Sequence, residues 1–412
     1  MTNPLALDSM VAVTRSYRYR LAPSRVQAAT LMAWLRLTRE LYNAALQERK
    51  EAWDKQRISV TRYDQQAQLP AIRADCADFA AVPAIALRGA IHRLDKAFVA
   101  FFRRVKSGER PGYPRFKSAR RWNCIEFDNP VVGDPIVAGG KRVKVPLLGK
   151  VKLCYHRPLE GRPRTMKIKL DGDGNWYISI ACDGVQAKPL PATGASVGVD
   201  LGLLTFAATS DGEMFENPRP LRVARIRMER AQRRVSRRKK GSKRRRRAVR
   251  LLGRQYAHVA NIRREQHIVV ARSLVARYDT IYVEDLNIKG LAAGMFAKSV
   301  NDAAWGRFQH WLDCKAEEAG RRVVEVDPRG TSQTCSRCGC VGEHKSLAVR
   351  VHRCADCGLE IDRDVNAAVN VKSLGMSEQG GARAVGRPRR SAKCAKANHR
   401  AGHASRIGVS SA

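Results

Sequence analysis

The sequence TSQTCSRCGCVGEHKSLAVRVHRCADCGLEIDRDVNAAVN, residues 331–370, places two CxxC pairs a few residues before an acidic cluster. The pairs are Cys335 with Cys338 and Cys354 with Cys357. The spacing C-x2-C-x15-C-x2-C is typical of a structural zinc ribbon, in which two tight turns each offer two sulfurs to a tetrahedral ion. A closed four-thiolate site leaves no position for water, so this metal is expected to organise the backbone rather than to catalyse.

Three further potential ligands, Cys340, His344 and His352, lie near the four cysteines. Their spacing is less regular, and we place them outside the predicted zinc set. The alternative for the whole group is four ordinary core cysteines, which the regular spacing disfavours. The other cysteines are scattered along the chain, where roles as buried apolar residues suffice for most of them.

Composition points to a nucleic-acid partner. The 412 residues exceed the size at which a single core stops growing, so two to four structural units are expected. Lys and Arg number 77 against 38 Asp and Glu, which gives a net charge of +39. A polyanion would offset the self-repulsion of so basic a chain, and nucleic acid is the first candidate.

A membrane surface is the alternative partner for a basic protein. The longest apolar candidate, residues 79–87, is far shorter than the roughly 18 residues that a membrane span needs. The N-terminus has no basic segment followed by an apolar one, so we expect a cytoplasmic, nucleoid-associated protein rather than a secreted one. Thiols stay reduced there, which favours metal-binding and core cysteines over disulfides.

Residues 21–119 follow helical spacing and predict a helical domain. Apolar residues of a first helix form one stripe, and a second helix of similar kind follows. Its stripe ends in a basic, aromatic segment, residues 101–122, in which Arg115 and Lys117 are candidates to bind nucleic-acid phosphates beside stacking aromatic rings. A solvated turn is the alternative. The stripes are Leu31, Trp34, Leu35, Thr38, Leu41, Tyr42 and Ala45, then Ile91, Leu94, Phe98, Phe101 and Val105.

Residues 120–190 change to a period of two. Met166, Ile168 and Leu170 alternate with polar residues, the turn DGDGN follows, and alternation resumes from Trp176, which together predict a hairpin. Further short strands predict a small β-barrel, to which residues 1–20 add the strand SYRYRL. The helical domain is then an insertion in this barrel.

Residues 191–330 alternate strands and helices, which predicts an α/β sheet domain. Two apolar strands are expected within SVGVDLGLLTFAATSDGEMFE, and the strand TIYVED follows later. Between them, residues 233–250 carry twelve Lys or Arg in eighteen positions. We interpret this stretch as a helical hairpin broken at Gly241, with a flexible tail or a solvated face as the alternative. Its candidate nucleic-acid ligands are Arg237, Arg238, Lys239 and Lys240.

Three acids stand at the ends of separate elements. Asp200 lies in the apolar sequence GVDLG, Glu284 closes IYVED, and Asp364 precedes NAAVNV. A single acid at a strand end is more often a cap or a surface charge. Three that converge beside a basic surface predict a site for paired Mg²⁺ ions, which accept carboxylates, water and phosphate oxygens. Such ions activate a water and stabilise the leaving oxygen of a phosphodiester.

These motifs resemble the TnpB family, transposon-encoded relatives of the type V CRISPR effectors. The resemblance rests on GVDLG, YVEDLNIKG, the two CxxC blocks with DRDVNAAVN, and the upstream SRRKKGS, FFRRVKSGERPGYPRFK and YRYRLAPS. It covers nearly the whole chain. It implies the catalytic, magnesium-binding acids Asp200, Glu284 and Asp364; their neighbours Asp285 and Asp362 are the residues most easily mistaken for them.

The resemblance also implies a fold and an activity. The fold is a RuvC-like ribonuclease H domain, residues 191–330 and 359–376, with the zinc ribbon inserted at 331–358. A wedge-like barrel, 1–20 and 120–190, contains the helical recognition lobe 21–119, and 377–412 form a disordered basic tail. The implied activity is DNA cleavage directed by a transposon-derived guide RNA, with guide RNA and target DNA as partners.

Three alternative functions stay open at this point. Strand transfer by a transposase uses the same acids, so the motifs do not separate it from hydrolysis. A compact type V CRISPR-like effector would differ in its genome neighbourhood. An RNA-guided repressor without nuclease activity would be expected to have lost the acids that are present here. The oligomeric state, the guide sequence and the target-adjacent motif leave no signature in the chain.

Overall fold

The computed structural model describes residues 12–127, 135–136, 139–342 and 349–380. It divides into two compact units. The first unit comprises Ala12–Val185, and the second contains the described residues from Gln186 onward. None of the described helices combines the length and apolarity needed to cross a lipid bilayer.

The first unit contains a six-stranded sheet with the order β2-β5-β6-β1-β4-β3. The predicted hairpin is confirmed, since β5 and β6 pair antiparallel with Ile168 opposite Ile178. β2 and β3 are the sheet edges, and residues 128–134 and 137–138 between them lie outside the described residues, so closure into a barrel stays a prediction. The strands are β1 Ala12–Ala22, β2 Cys124–Phe127, β3 Arg142–Val145, β4 Gly149–Cys154, β5 Arg162–Leu170 and β6 Trp176–Gln186.

Five helices and a 3-10 turn complete this unit. Helix α1 begins after Ser24, whose hydroxyl accepts from the Gln27 backbone while the Gln27 side chain accepts from Ser24 N–H, a capping box. The first predicted stripe is confirmed, because all seven of its residues are buried. The second is confirmed only at its start: Ile91 and Leu94 are buried, whereas Val105 is 49% exposed. The helices are α1 Arg25–Gln56, α2 Arg62–Ala67, α3 Leu69–Asp75, α4 Ala77–Ala80 and α5 Ala84–Lys106, and the 3-10 turn is Ala119–Arg121.

The helices and the sheet of the first unit share one hydrophobic core. Trp34 and Leu94 from the helices and Ile125 and Ile168 from the strands are all members of it. Gly89 permits the close approach of α5 to β2, because a side chain there would meet the Glu126 carbonyl oxygen at 2.2 Å. The predicted barrel and helical lobe are therefore packed together rather than joined only by linkers.

The second unit is built on a five-stranded sheet with the order β11-β10-β7-β8-β9. β10 runs parallel to both β7 and β11, whereas β8 is antiparallel to both β7 and β9. Sequence analysis predicted two strands in residues 196–216, which was wrong. The structure has three strands there, because the chain reverses after Asp200 as well as at Ser210–Gly212. The strands are β7 Ser196–Asp200, β8 Thr205–Thr209, β9 Met214–Glu216, β10 Thr280–Glu284 and β11 Arg322–Val326.

The predicted break at Gly241 is confirmed. Gly241 has φ +85°, the Ser242 hydroxyl caps α7, and Arg245 donates to the carbonyls of Val235 and Arg238 near the end of α6. The helix that carries Trp305 ends, as expected, before Gly320. The remaining elements are α6 Pro220–Ser236, α7 Lys243–Arg277, α8 Ile288–Leu291, α9 Ala297–Ala303, α10 Trp305–Ala319, β12 Val351–Arg353, β13 Glu360–Asp362 and α11 Arg363–Gly380.

Helix α11 lies directly against the sheet. A side chain at Gly198 in β7 would meet the Ala368 carbonyl oxygen at 2.0 Å, and one at Gly375 in α11 would meet the Tyr282 ring at 2.1 Å. Gly198 therefore allows the backbones of β7 and α11 to touch, and Gly375 leaves room for the Tyr282 ring. Since α11 continues to Gly380, the predicted tail is helical at 377–380, and its remainder, 381–412, lies outside the described residues.

Candidate functional site

Asp200 and Glu284 lie side by side at the carboxyl ends of two neighbouring parallel strands. Their preceding residues, Val199 and Val283, are register partners in β7 and β10. The two carboxyl groups share a hydrogen bond. Glu284 is buried and Asp200 half-buried. The sequence motifs GVDLG and YVED thus bring two acids to one point because parallel strands end at the same sheet edge.

Asp364 reaches the same region from α11. The preceding acid, Asp362, accepts from the backbone N–H of Asp364 at 2.8 Å and of Val365 at 3.3 Å, which caps the helix. The Asp364 carboxylate is left to face the loop after β7, where its Oδ2 lies 3.7 Å from the position a Gly202 side chain would take. Because Asp362 caps the helix, Asp364 is favoured over Asp362 as the functional acid.

The charges of Glu284 and Asp364 both act on Asp200. The pKa of Asp200 is raised well above its ordinary value of 3.8, mainly by burial and further by the charges of Glu284 and Asp364. Burial also raises the pKa of Glu284, while hydrogen bonds from Thr331 and Asp200 lower it. Clustered carboxylates of this kind are suited to a hard divalent cation, which relieves both the repulsion and the loss of hydration.

A guanidinium group is part of the acid cluster. Arg350, from the segment just before β12, donates to Asp364 Oδ2 and forms an ion pair with it. The carboxylate oxygens of the three acids do not all lie within 4.8 Å of one another, whereas the four ribbon sulfur atoms do. The positive charge of Arg350 therefore lies beside one of the three acids.

The four predicted zinc ligands converge. The sulfur atoms of Cys335, Cys338, Cys354 and Cys357 all lie within 4.8 Å of one another. Each CxxC pair is followed by a glycine with positive φ, Gly339 at +76° and Gly358 at +68°. The N–H of each glycine donates to the carbonyl of the first cysteine of its pair. Four sulfur donors on two such turns fit a tetrahedral Zn²⁺.

The three residues near the ribbon that were placed outside the predicted zinc set are Cys340, His344 and His352. Cys340 is exposed and outside the four-sulfur group. His352 is buried and hydrogen-bonds Cys335. Burial would raise the pKa of Cys335, but this bond and the N–H groups of Cys338 and Arg337 outweigh it and lower the pKa to about 5, which favours the thiolate that a metal needs. His344 lies outside the described residues.

Hydrogen bonds tie the ribbon segment to the acids. The Thr331 hydroxyl donates to Glu284 Oε1 at 2.8 Å. Asn366 of α11 accepts from Ser336 N–H at 2.9 Å and donates to the Thr334 carbonyl at 2.8 Å. Asn370, one turn later, donates to the carbonyls of Thr331 and Thr334 at 2.8 and 2.7 Å. The first cysteine knuckle therefore fixes the helix that carries Asp364.

Sequence analysis missed Thr331, Arg350, Asn366 and Asn370. The pair of asparagines at i and i+4 in NAAVN was a usable signal, because two amides on one buried helix face require partners. Thr331 and Arg350 gave no comparable signal, since their contacts depend on how the ribbon folds back onto the sheet.

The predicted basic residues differ in exposure. Arg115 is exposed in the first unit, whereas Lys117 is half-buried, with its backbone N–H and carbonyl bonded to the Asn43 side chain at 2.8 and 3.0 Å. In the second unit, Arg237, Lys239 and Lys240 are exposed at the turn between α6 and α7, and Arg238 is half-buried. Within the described residues, none of these six is ion-paired with a carboxylate.

Three known families match parts of the chain. A family described as "Helix-turn-helix domain" matches residues 10–57, "Probable transposase" matches 179–294, and "Cas12f1-like, TNB domain" matches 305–371. A protein of Streptomyces pristinaespiralis named "Putative RNA-guided DNA endonuclease" is 32% identical over 375 residues, which cover 89% of this chain and 91% of that protein. The chain belongs to the TnpB family.

One further relative and one solved structure show more distant similarity to this TnpB member. "Putative RNA-guided DNA endonuclease InsQ" of Escherichia coli K12 is 27% identical over 309 residues, 71% of this chain and 75% of that protein. A solved structure of the mini-RNA-guided endonuclease CRISPR-Cas_phi3 covers 88% of this chain and 92% of its own, with 9% identity and a TM-score of 0.47. That structural likeness is too remote to define the fold of this TnpB member.

Proposed function

We propose that this TnpB member is an RNA-guided DNA endonuclease that hydrolyses phosphodiester bonds at Asp200, Glu284 and Asp364. The single observation that carries the proposal is the approach of these acids from two parallel strand ends and the start of α11. The name of the Streptomyces relative supports the same activity. The fold of the catalytic domain, its metal ions and its nucleic-acid partners are further parts of this proposal.

The proposed catalytic domain is RuvC-like, of the ribonuclease H type, and comprises residues 191–330 and 359–376 with the ribbon 331–358 inserted. The sheet order β11-β10-β7-β8-β9, with α11 packed on β7, supports this assignment. The first unit would then supply the wedge-like barrel and the recognition lobe. Its shared helix and sheet core supports treating the two as one body.

The carboxylates of Asp200, Glu284 and Asp364 are the residues that would hold Mg²⁺. When bound, two such ions activate a water and stabilise the leaving oxygen of the scissile bond. Thr331 orients the Glu284 carboxylate, which would hold a cation, by donating to its Oε1. Arg350 balances the charge of Asp364.

The zinc of the ribbon would be structural. Its four thiolates fill the tetrahedral site, and the knuckle that contains Cys335 is bonded to Asn366. Zinc binding thereby fixes the start of α11 and the position of Asp364. We propose that the ribbon also guides a DNA strand towards the acids.

The partners would be a guide RNA and a target DNA. The net charge of +39 and the exposed cations at the α6–α7 turn support binding to a polyanion. Base pairing with the guide would select the target, while the protein reads a short adjacent motif. DNA strand transfer is the alternative that the match to "Probable transposase" favours, and it predicts joined DNA ends instead of hydrolysed ones.

The test is to purify the protein from its native locus, sequence the RNA that copurifies, and incubate the complex with Mg²⁺ and plasmids. A plasmid that matches the RNA should be cleaved, and one with a scrambled target should stay intact. Absence of a discrete RNA, or equal cutting of both plasmids, would refute the guided activity. Sequencing the product ends separates hydrolysis from strand transfer.

A further inference from the structure

Two strands of the first unit carry basic side chains on their outward face. β3 and β4 are antiparallel neighbours in which Arg142 is the register partner of Lys152, and Lys144 is that of Lys150. All four side chains are exposed. The apolar residues that alternate with them are buried, which places the four cations on the side of the sheet away from the core. We call these four residues the cation ladder.

The cation ladder places like charges directly opposite each other, an arrangement that destabilises a pair of strands. Among the described residues, no member of the ladder is ion-paired with a carboxylate. Other cations of the same sheet have such partners. On β5, the Lys167 ammonium lies 3.2 Å from a Glu126 oxygen, and the Lys169 ammonium lies 2.7 Å from an Asp171 oxygen. The charge of the ladder is therefore not balanced within the part of the chain that the structure describes.

Backbone contacts hold the cation ladder in place. The Gln27 side chain, which completes the capping box of α1, donates to the Lys150 carbonyl at 3.2 Å. The Lys144 N–H donates to the Pro135 carbonyl at 2.9 Å. β4 also pairs with β1 on the side away from β3. The backbone that carries the four cations is thus fixed before a ligand arrives, which lowers the entropic cost of binding.

The outward face of β3 and β4 offers positive charge but no aromatic ring. Its positions are the cation ladder and Cys154. Proteins that bind single-stranded nucleic acid stack its bases on aromatic side chains, and this face has none. A double helix keeps its bases inside and its phosphates outside, so contacts from cations alone suffice to bind it. The chemistry of the ladder therefore fits the backbone of a duplex.

We propose that the cation ladder binds the phosphate backbone of double-stranded DNA without reading its sequence. Contacts of this kind are electrostatic, and they let a protein slide along DNA in search of its target. The ladder thereby gives the first unit a role in holding DNA that has not yet been matched to a guide. The inference rests on the proposed function only in taking DNA as the duplex.

The test measures how the full-length zinc-loaded protein binds duplex DNA of random sequence across a salt series. Each phosphate that a cation neutralises contributes about 0.9 to the slope of log K against log salt for B-DNA. The double variant Lys150→Gln with Lys152→Gln should therefore lower the magnitude of the slope by about 1.8. A wild-type slope in this variant would overturn the proposal.

The matched control is Lys167→Gln with Lys169→Gln. These two lysines are also two residues apart on one strand of the same sheet, so the control removes the same charge, but both of its ammonium groups are paired with carboxylates. The control should keep the wild-type slope. An equal loss of slope in both double variants would mean that net charge alone determines binding, and it would overturn the ladder. Circular dichroism of each variant confirms that it is folded.

Lys144→Glu distinguishes a binding surface from a face that only contacts solvent. Glutamate opposite Lys150 would replace a repulsive pair with an attractive one, so the melting temperature should stay at or above that of the wild type. The slope of DNA binding should fall, because the variant loses a cation and gains a charge that repels phosphate. A melting temperature at or above that of the wild type, combined with an unchanged slope, would overturn the proposal.

Guide RNA is the competing occupant of the cation ladder. The salt series is therefore repeated with the copurified RNA bound, and Lys150→Gln with Lys152→Gln should again lower the slope for duplex DNA by about 1.8. If the RNA-bound variant keeps the wild-type slope while its affinity for the RNA falls, the ladder binds RNA and the assignment to DNA is wrong. Failure of guided cleavage would leave the RNA-free series unaffected, because that series requires neither a guide nor a cut.

Discussion

The Thr331 hydroxyl donates a 2.8 Å hydrogen bond to Glu284 Oε1, so the segment that leads into the first cysteine knuckle touches an acid at the end of β10. Thr331 is 2% exposed, and Asn370 of α11 donates to its carbonyl. One buried residue thus connects the ribbon, the sheet and the helix that carries Asp364. We therefore expect a disruption of the zinc ribbon to affect the acid site as well.

Thr331→Val should impair the acid site with little change of shape. Burial raises the pKa of Glu284 and the Thr331 bond lowers it, so loss of the bond should raise this pKa further. The acid limb of the cleavage rate against pH should therefore move to higher pH. The loss of a hydrogen bond to a charged group costs about 1.5–3 kcal/mol, or roughly tenfold to a hundredfold in rate.

Thr334→Val is the matched control for Thr331→Val, because its hydroxyl does not bond Glu284. Its pH profile should match that of the wild type. An unshifted acid limb in Thr331→Val would show that this bond does not tune Glu284.

Removal of the zinc ligands should release the start of α11 from the first cysteine knuckle. The double variant Cys335→Ser with Cys338→Ser should lose bound zinc, measured by mass spectrometry of the metal, and at least about tenfold of its cleavage rate, because the knuckle that bonds Asn366 is no longer ordered. Cys340→Ser, an exposed thiol in the same ribbon, should keep both. Full cleavage by the zinc-free double variant would contradict a structural role for the ribbon.

Gly198→Ala should displace α11. The new methyl group would lie 2.0 Å from the Ala368 carbonyl oxygen, a backbone atom that cannot move alone. Overpacking of this kind costs about 1–3 kcal/mol or more, so the melting temperature and the cleavage rate should both fall. Gly172→Ala has open space around it and should be close to neutral. A wild-type melting temperature for Gly198→Ala would mean that the helix is not held against β7.

Asp200→Asn should stabilise the protein when Mg²⁺ is absent. The pKa of Asp200 is raised in the folded chain, so the wild type loses stability as the pH rises above 3.8, the ordinary value, through the folded-state pKa. Asparagine removes this charge, and its advantage should grow over the same interval and remain at neutral pH. A gain of about 2 °C or more in melting temperature at pH 7.5, shrinking towards pH 4, is expected.

Much of this structure could be predicted from the sequence, and the failures have local physical causes. Helix α1 and the β5–β6 hairpin were predicted correctly because strict periodicity reports burial on one face. Val105 was placed on a buried stripe, but α5 extends past the core there. The extra strand in residues 196–216 was missed because a reversal after Asp200 interrupts an apolar run without a strong turn signal.

The types of residue in the candidate site could be predicted from the sequence, but the hydrogen bonds and the ion pair that connect them could not. The four cysteines converge because their spacing encodes two metal knuckles. The structure distinguishes Asp362 from Asp364 by one role, because the Asp362 carboxylate caps helix α11. Thr331 contacts Glu284 and Arg350 contacts Asp364 across long stretches of sequence, and no local sequence pattern indicates such contacts. The catalytic assignment of Asp200, Glu284 and Asp364 itself remains a prediction until it is measured.

The most direct measurement is plasmid cleavage by the purified Asp200→Ala protein in complex with its copurified RNA. Because Asp200 sits at the centre of the acid cluster, this variant should bind RNA with wild-type affinity and produce no cleavage of a matched plasmid in Mg²⁺. Cleavage at the wild-type rate by Asp200→Ala would contradict the assignment of the hydrolytic site to these three acids.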